Sequence, residues 1–128
     1  MKYLLDTHTF LWYFEDSPKL SETSAAIIED TNVQKSVSIA SLWEFAIKYS
    51  MGKLDFDGGL SHLWEMVLQN RFTILPIAQS YLLNITENLP FIHRDPFDRL
   101  LVATAKAEGM TILTADENIQ KYDISWIW

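Results

Sequence analysis

The sequence predicts an α/β fold, with a mainly parallel sheet and helices on both faces. Three observations carry this expectation. Short apolar runs alternate with helical patterns along the chain, which is the signature of strand–helix–strand units. No repeat, low-complexity segment or linker interrupts the pattern, so residues 1–128 read as one domain. The 128 residues, 48% of them hydrophobic, are enough to bury a real core.

"KYLLD" (2–6) reads as a first strand ending at Asp6, and "THTFLWYFE" as the helix that follows it. Ser21 is placed to cap "ETSAAIIED", a short amphipathic helix. "KSVSIA" (35–40) alternates like a strand. In "SLWEFAIKYSMG" (41–52), Leu42, Phe45, Ala46 and Tyr49 stand at helical spacing, and Gly52 is a stop. "GGLSHLWEMVLQNR" reads as a helix and "FTILPI" as a strand. "QSYLLNITENLP" is helical and ends before Pro90. A further helix starts at Asp95 and stops at Gly109. "MTILTAD" is a strand ending near Asp116, "ENIQKY" a short helix, and "DISWIW" a last short strand or tail.

Composition narrows the function classes. There is no cysteine, which excludes disulfides and thiolate metal sites. The apolar stretch at the N-terminus is too short and interrupted for a signal peptide, and no apolar run approaches a membrane span. The expected location is the cytoplasm. A formal charge of −7 argues against holding nucleic acid by bulk electrostatics. Bound cations or a local basic patch can reverse the field where it matters, and the charge also permits a basic protein partner.

In parallel α/β sheets, functional residues gather beyond the carboxyl ends of the strands. Asp6 ends the first strand. Glu44 and Asp98 each lie one turn into a helix, and Asp116 lies two residues past "TIL" plus its threonine. Four carboxylates thus fall near one sheet edge. Two unit charges about 4 Å apart repel by roughly 4 kcal/mol at an effective dielectric near 20. Protons or cations must sit among them. Oxygen donors without cysteine or a histidine pair suit a hard ion, Mg²⁺ or Mn²⁺. Helix N-termini aimed at the same place favour anionic groups and a phosphate ligand. Acids with hard cations are suited to phosphodiester hydrolysis.

"LLDTHTFLW", "SLWEFAIKYSMGKL", "HRDPFDRLLVATA" and "LTADENIQKY" together resemble the PIN-domain ribonucleases, of the kind that serve as VapC-type toxins in bacterial toxin–antitoxin pairs. The likeness covers nearly the whole chain, in order. It implies a PIN-like three-layer α/β/α fold and a Mg²⁺- or Mn²⁺-dependent endoribonuclease. Asp6, Glu44, Asp98 and Asp116 match the acidic quartet of that family. A homodimer and an inhibitory cognate antitoxin are implied as partners.

Simpler roles compete for each acid. Asp95 can be an N-cap with Pro96 at the first helical position, which makes Asp98 the third helical residue, the reciprocal position of a capping box. Asp95 then builds the helix start and Asp98 does the chemistry, or Asp95 assists. Asp6 and Asp116 can cap the helices that follow them, and Glu44 can pair with Ser41 in a capping box. Thr114 is a candidate to orient water or metal. Lys48, four residues after Glu44, is either an ion-pair partner or a phosphate contact. Arg94 and Arg99 are candidate contacts to RNA backbone. His8, His62 and His93 show no ligand spacing, and Trp12 and Trp43 can line a groove for the antitoxin. Two rival readings remain. A haloacid-dehalogenase-like phosphatase wants a second Asp two residues after Asp6, where His8 stands. A catalytically silent RNA-binding or interaction module is the other.

Overall fold

A computed structural model describes residues 1–128. Its elements follow in the order β1 (Lys2–Leu5), α1 (Thr7–Phe14), α2 (Glu22–Glu29), β2 (Gln34–Ser38), α3 (Ile39–Ser50), α4 (Gly59–Gln69) and β3 (Thr73–Leu75). Then come α5 (Gln79–Glu87), α6 (Pro96–Glu108), β4 (Thr111–Leu113), α7 (Glu117–Gln120) and β5 (Trp126–Ile127). The five strands form one sheet in the order β3-β2-β1-β4-β5, and every pairing is parallel.

Burial explains why the central strands β1 and β4 carry apolar residues on both faces. Side chains alternate across a strand, and a parallel sheet is covered on both faces. Tyr3 and Leu5 of β1 therefore join one core, with Val37, Leu113, Phe10, Ile28, Phe45 and Leu63 from β2, β4, α1, α2, α3 and α4. Leu4 points the other way, into a second core with Leu101, Val102, Ala105, Ile112 and Ile119. A smaller cluster of Ala40, Tyr81, Leu100 and Ala103 joins α3, α5 and α6. The result is three layers, as expected.

Two boundaries differ from the sequence reading. The second strand ends at Ser38, and α3 begins at Ile39, two residues before Ser41. The cause is a cap: the Ser38 hydroxyl accepts the Ala40 N–H at 3.1 Å. Glu44 is therefore the sixth residue of α3, about one and a half turns in, which removes the proposed capping box. Ser41 is buried, and its hydroxyl has no partner. Ser21 and Asp95 cap α2 and α6 as anticipated. At the far end of α6, Gly109 takes φ +64°, and the Met110 N–H returns to Ala105 O at 3.0 Å. A glycine reaches that left-handed turn without steric cost. No helix is long and apolar enough to cross a membrane.

Candidate metal centre

The strand order places the ends of β1 and β4 side by side at the middle of the sheet. Asp6 follows β1 directly, and the Thr114–Asp116 segment follows β4. Helices α3 and α6 pack beside each other and add Glu44 and Asp98. These elements enclose a cavity of about 180 Å³ without a single apolar lining residue. Asp6, Glu44, Asp98 and Asp116 all line it, joined by Asp95, Lys48, Thr7, His8, His93 and Asn118.

Each carboxylate is held by its own set of donors. Asp6 is 5% exposed. One of its oxygens accepts the Thr9 N–H at 2.8 Å and the Thr9 hydroxyl at 2.6 Å; the other accepts the Thr114 hydroxyl. Asp6 is thus the cap of α1 and a wall of the cavity at once. Burial pushes its carboxyl above the ordinary value, and the three hydrogen bonds oppose that rise. Glu44 is buried; its Oε1 accepts the Thr7 hydroxyl at 2.7 Å and its Oε2 meets Lys48 Nζ at 2.8 Å. Asp116 likewise caps α7, accepting the Asn118 N–H at 2.8 Å, and also lines the cavity.

Asp98 is the least compensated of the four. Its carboxyl is pushed up to about 8, first by burial, then by the charges of Asp95, Asp116, Glu44 and Asp6. Its Oδ2 lies 3.0 Å from His93 Nε2, a contact that needs one proton between the two atoms. Asp95 caps α6 through one oxygen, which accepts the Phe97 and Asp98 N–H groups at 2.8 and 3.2 Å.

The remaining candidates separate by position. Lys48 reaches the cavity while pairing with Glu44. Thr114 acts from behind Asp6, its hydroxyl also accepting the Asp116 N–H at 3.0 Å. Arg94 is exposed and outside the cavity lining. Arg99 was expected to face RNA, but it is 7% exposed and turned inward. Its guanidinium donates to Pro90 O and Ile85 O and to the Tyr122 hydroxyl, and it stacks on Phe91 at 4.4 Å. A guanidinium this buried and committed to acceptors within the chain is not free to bind a phosphate outside.

Sequence reasoning missed His93, Thr7, Thr9 and Asn118. One ligand atom each from His93, Asp98 and Asp116 lies within 4.8 Å of the others. His93 stands in an irregular stretch before α6, where no periodicity predicts direction. The threonines carried a faint signal in "DTHT", since the third residue after an N-cap is where a cap accepts its N–H. The donors present, carboxylate oxygens and one imidazole without sulfur, fit a divalent cation. The crowded negative charge that raises Asp98 gives that fit its electrostatic reason.

Comparison with known proteins follows the same line. A chain of VapBC2 from Rickettsia felis, solved bound to a DNA fragment from its promoter, superposes with a TM-score of 0.73 at 16% identity, covering 99% of this chain and 98% of that one. DNA-bound VapBC from Salmonella typhimurium gives 0.73 at 16% identity, covering 99% and 97%. A toxin–antitoxin complex from Klebsiella pneumoniae gives 0.68 at 15%, covering 98% and 96%. At such identities the likeness is one of fold. No curated protein matches the chain. The family model for the PIN domain matches residues 3–125, and with nearly the whole chain covered, the protein belongs to the PIN domain family.

Proposed function

We propose that residues 1–128 act as one PIN domain that hydrolyses RNA phosphodiester bonds internally, with Mg²⁺ or Mn²⁺. The observation that carries this reading is the cavity itself: four carboxylates from four parts of the chain converge where nothing apolar lines the wall. Asp6, Glu44, Asp98 and Asp116 are the residues to hold the ion. When bound, it polarises a phosphate and lowers the pKa of a water.

The chain's own side chains do the rest. Thr9 and Thr114 fix both oxygens of Asp6, and Thr7 with Lys48 fixes both of Glu44. Preset ligands need no reordering when the substrate arrives. Lys48 brings positive charge to a site that otherwise repels phosphate. The Thr7 hydroxyl already donates to Glu44, and cysteine is absent, so water is the nucleophile that the site favours. Arg94, exposed and next to Asp95 in the chain, is the further candidate for a phosphate contact.

The family resemblance and the neighbours described as toxin–antitoxin complexes support the role of a toxin in a type II pair. In this reading a cognate antitoxin restrains the protein, which works as a homodimer in the cytoplasm. The test is cleavage of a mixed pool of labelled RNAs by the purified chain with Mg²⁺, with Mn²⁺ and with EDTA, beside Asp98→Asn. Metal-dependent cutting that the folded variant lacks is the expected result. Equal cutting by the variant, or by the wild type in EDTA, overturns the assignment.

A further inference from the structure

A second hollow, of about 210 Å³, adjoins the carboxylate cavity and shares Asp6, His8 and Asp116 with it. Its other walls are Trp12 and Ala115. The Trp12 indole is half-buried and held in place. Trp128 meets it edge-on at 5.8 Å between ring centroids, and Lys19 Nζ lies 5.9 Å from its ring. The exposed His8 ring lies 5.7 Å away, tilted by 31°. One side of the hollow is therefore aromatic, and the other is the carboxylate pair Asp6 and Asp116.

We propose that this hollow is a nucleobase subsite, in which an unpaired RNA base next to the phosphate at the carboxylates stacks on Trp12. The identity of the ligand rests on the nuclease reading above. The chemistry of the walls selects the part of the nucleotide that enters. Asp6 and Asp116 are taken up by the cation that meets the phosphate, so the wall left to the hollow is the Trp12 face, which offers a planar ring its contact and an anion none. The volume suits one planar heterocycle. Aromatic faces accept any base, because every base has a π-face. A base paired inside a duplex stays in its stack and cannot reach the indole, so the substrate is single-stranded. The shared residues put the stacked base beside the carboxylate cavity, and Lys19 stands near the indole to meet an adjoining phosphate.

The test is photo-cross-linking. A short single-stranded RNA carrying iodouridine is irradiated with the full chain in Mg²⁺, and the adducts are mapped by mass spectrometry. The expected adduct lies on Trp12 or His8, and the same sequence as a duplex gives none there. Trp12→Leu lowers the yield about tenfold, the effect of losing one stacked base, while Trp12→Phe keeps a π-face and retains most of it. Should the leucine variant fail to fold, the wild-type adduct position and the phenylalanine variant still decide. Adducts confined to other surfaces, equal adducts from the duplex, or no adduct at all overturn the subsite; a Trp12 face reserved for a protein partner would give the first pattern. Cleavage of the same RNA is followed in parallel. Cutting without a Trp12 adduct defeats the subsite alone, and an adduct without cutting keeps the subsite while defeating the nuclease reading.

Discussion

Arg99 has five donors and a charge it cannot lose. Three acceptors, the Tyr122 hydroxyl buried and the Pro90 and Ile85 carbonyls partly so, and the face of Phe91 absorb that charge. One of them, the Tyr122 hydroxyl, also accepts the His93 N–H at 2.9 Å. Arg99 thus secures the irregular stretch that carries His93 to Asp98. Arg99→Ala is expected to lower stability by about 2–3 kcal/mol, the worth of charged hydrogen bonds left unmade. The exposed Arg94, changed to Ala, moves stability by less than about 0.5 kcal/mol. Urea denaturation of both variants checks the contrast, and an equal loss in the two would contradict it. From sequence the two arginines were indistinguishable, since each stands next to the "DPFD" acids. Burial separates them, and burial depends on what packs above.

Helix α6 shows how one element joins scaffold and chemistry. Asp95 caps its first turn, Pro96 opens it, and Asp98 projects into the cavity from the same turn. Asp95 is also the charge that raises Asp98 most. Asn caps a helix as well as Asp does. Asp95→Asn is therefore expected to leave stability within about 0.5 kcal/mol of wild type. It draws the Asp98 titration midpoint below about 8, and burial keeps that midpoint above the ordinary 3.8. Carboxyl-carbon NMR of the metal-free protein across the pH range measures this; an unmoved midpoint would falsify the electrostatic account. The helix ends were legible because caps and stops are local: Ser21, Asp95 and Gly109 all stand where the chain predicts. The start of α3 was misplaced because Ser38 and Ser41 are equal as cap residues. Pairing of Ser38 with Leu75 in the sheet set which of them ends the strand.

Across the whole molecule, the carboxylate cavity ties folding to protons and to cations. Asp98 has an ordinary value of 3.8 and rises to about 8 on folding, and Asp6 shifts in the same direction. The folded state then binds more protons than the unfolded one. By linkage, stability of the metal-free protein falls as pH rises from about 4 to about 8. A divalent cation replaces the proton, so its stabilising effect grows over the same window. At about 100 times its dissociation constant the ion adds about 2.7 kcal/mol. Thermal melts near pH 6 and pH 8, with Mn²⁺ and with EDTA, check both trends. Asp98→Asn flattens them. A melting temperature that climbs with pH in EDTA, or ignores Mn²⁺ at the higher pH, would contradict this linkage.

The sequence by itself determined the alternation of strands and helices, the capped helix ends and the set of carboxylates near strand ends. Those features rest on short-range physics: side-chain alternation, helical period and a cap's reach of three residues. Only the tertiary structure decided that β1 and β4 lie side by side, that His93 meets Asp98, and that Arg99 turns inward while Lys48 reaches the cavity. It also decided that Trp12 borders the acids. The pairing of β1 with β4, and the hold of Tyr122 on the His93 N–H and on Arg99, join residues far apart in the chain, and such contacts form only as the sheet and its covering helices pack together.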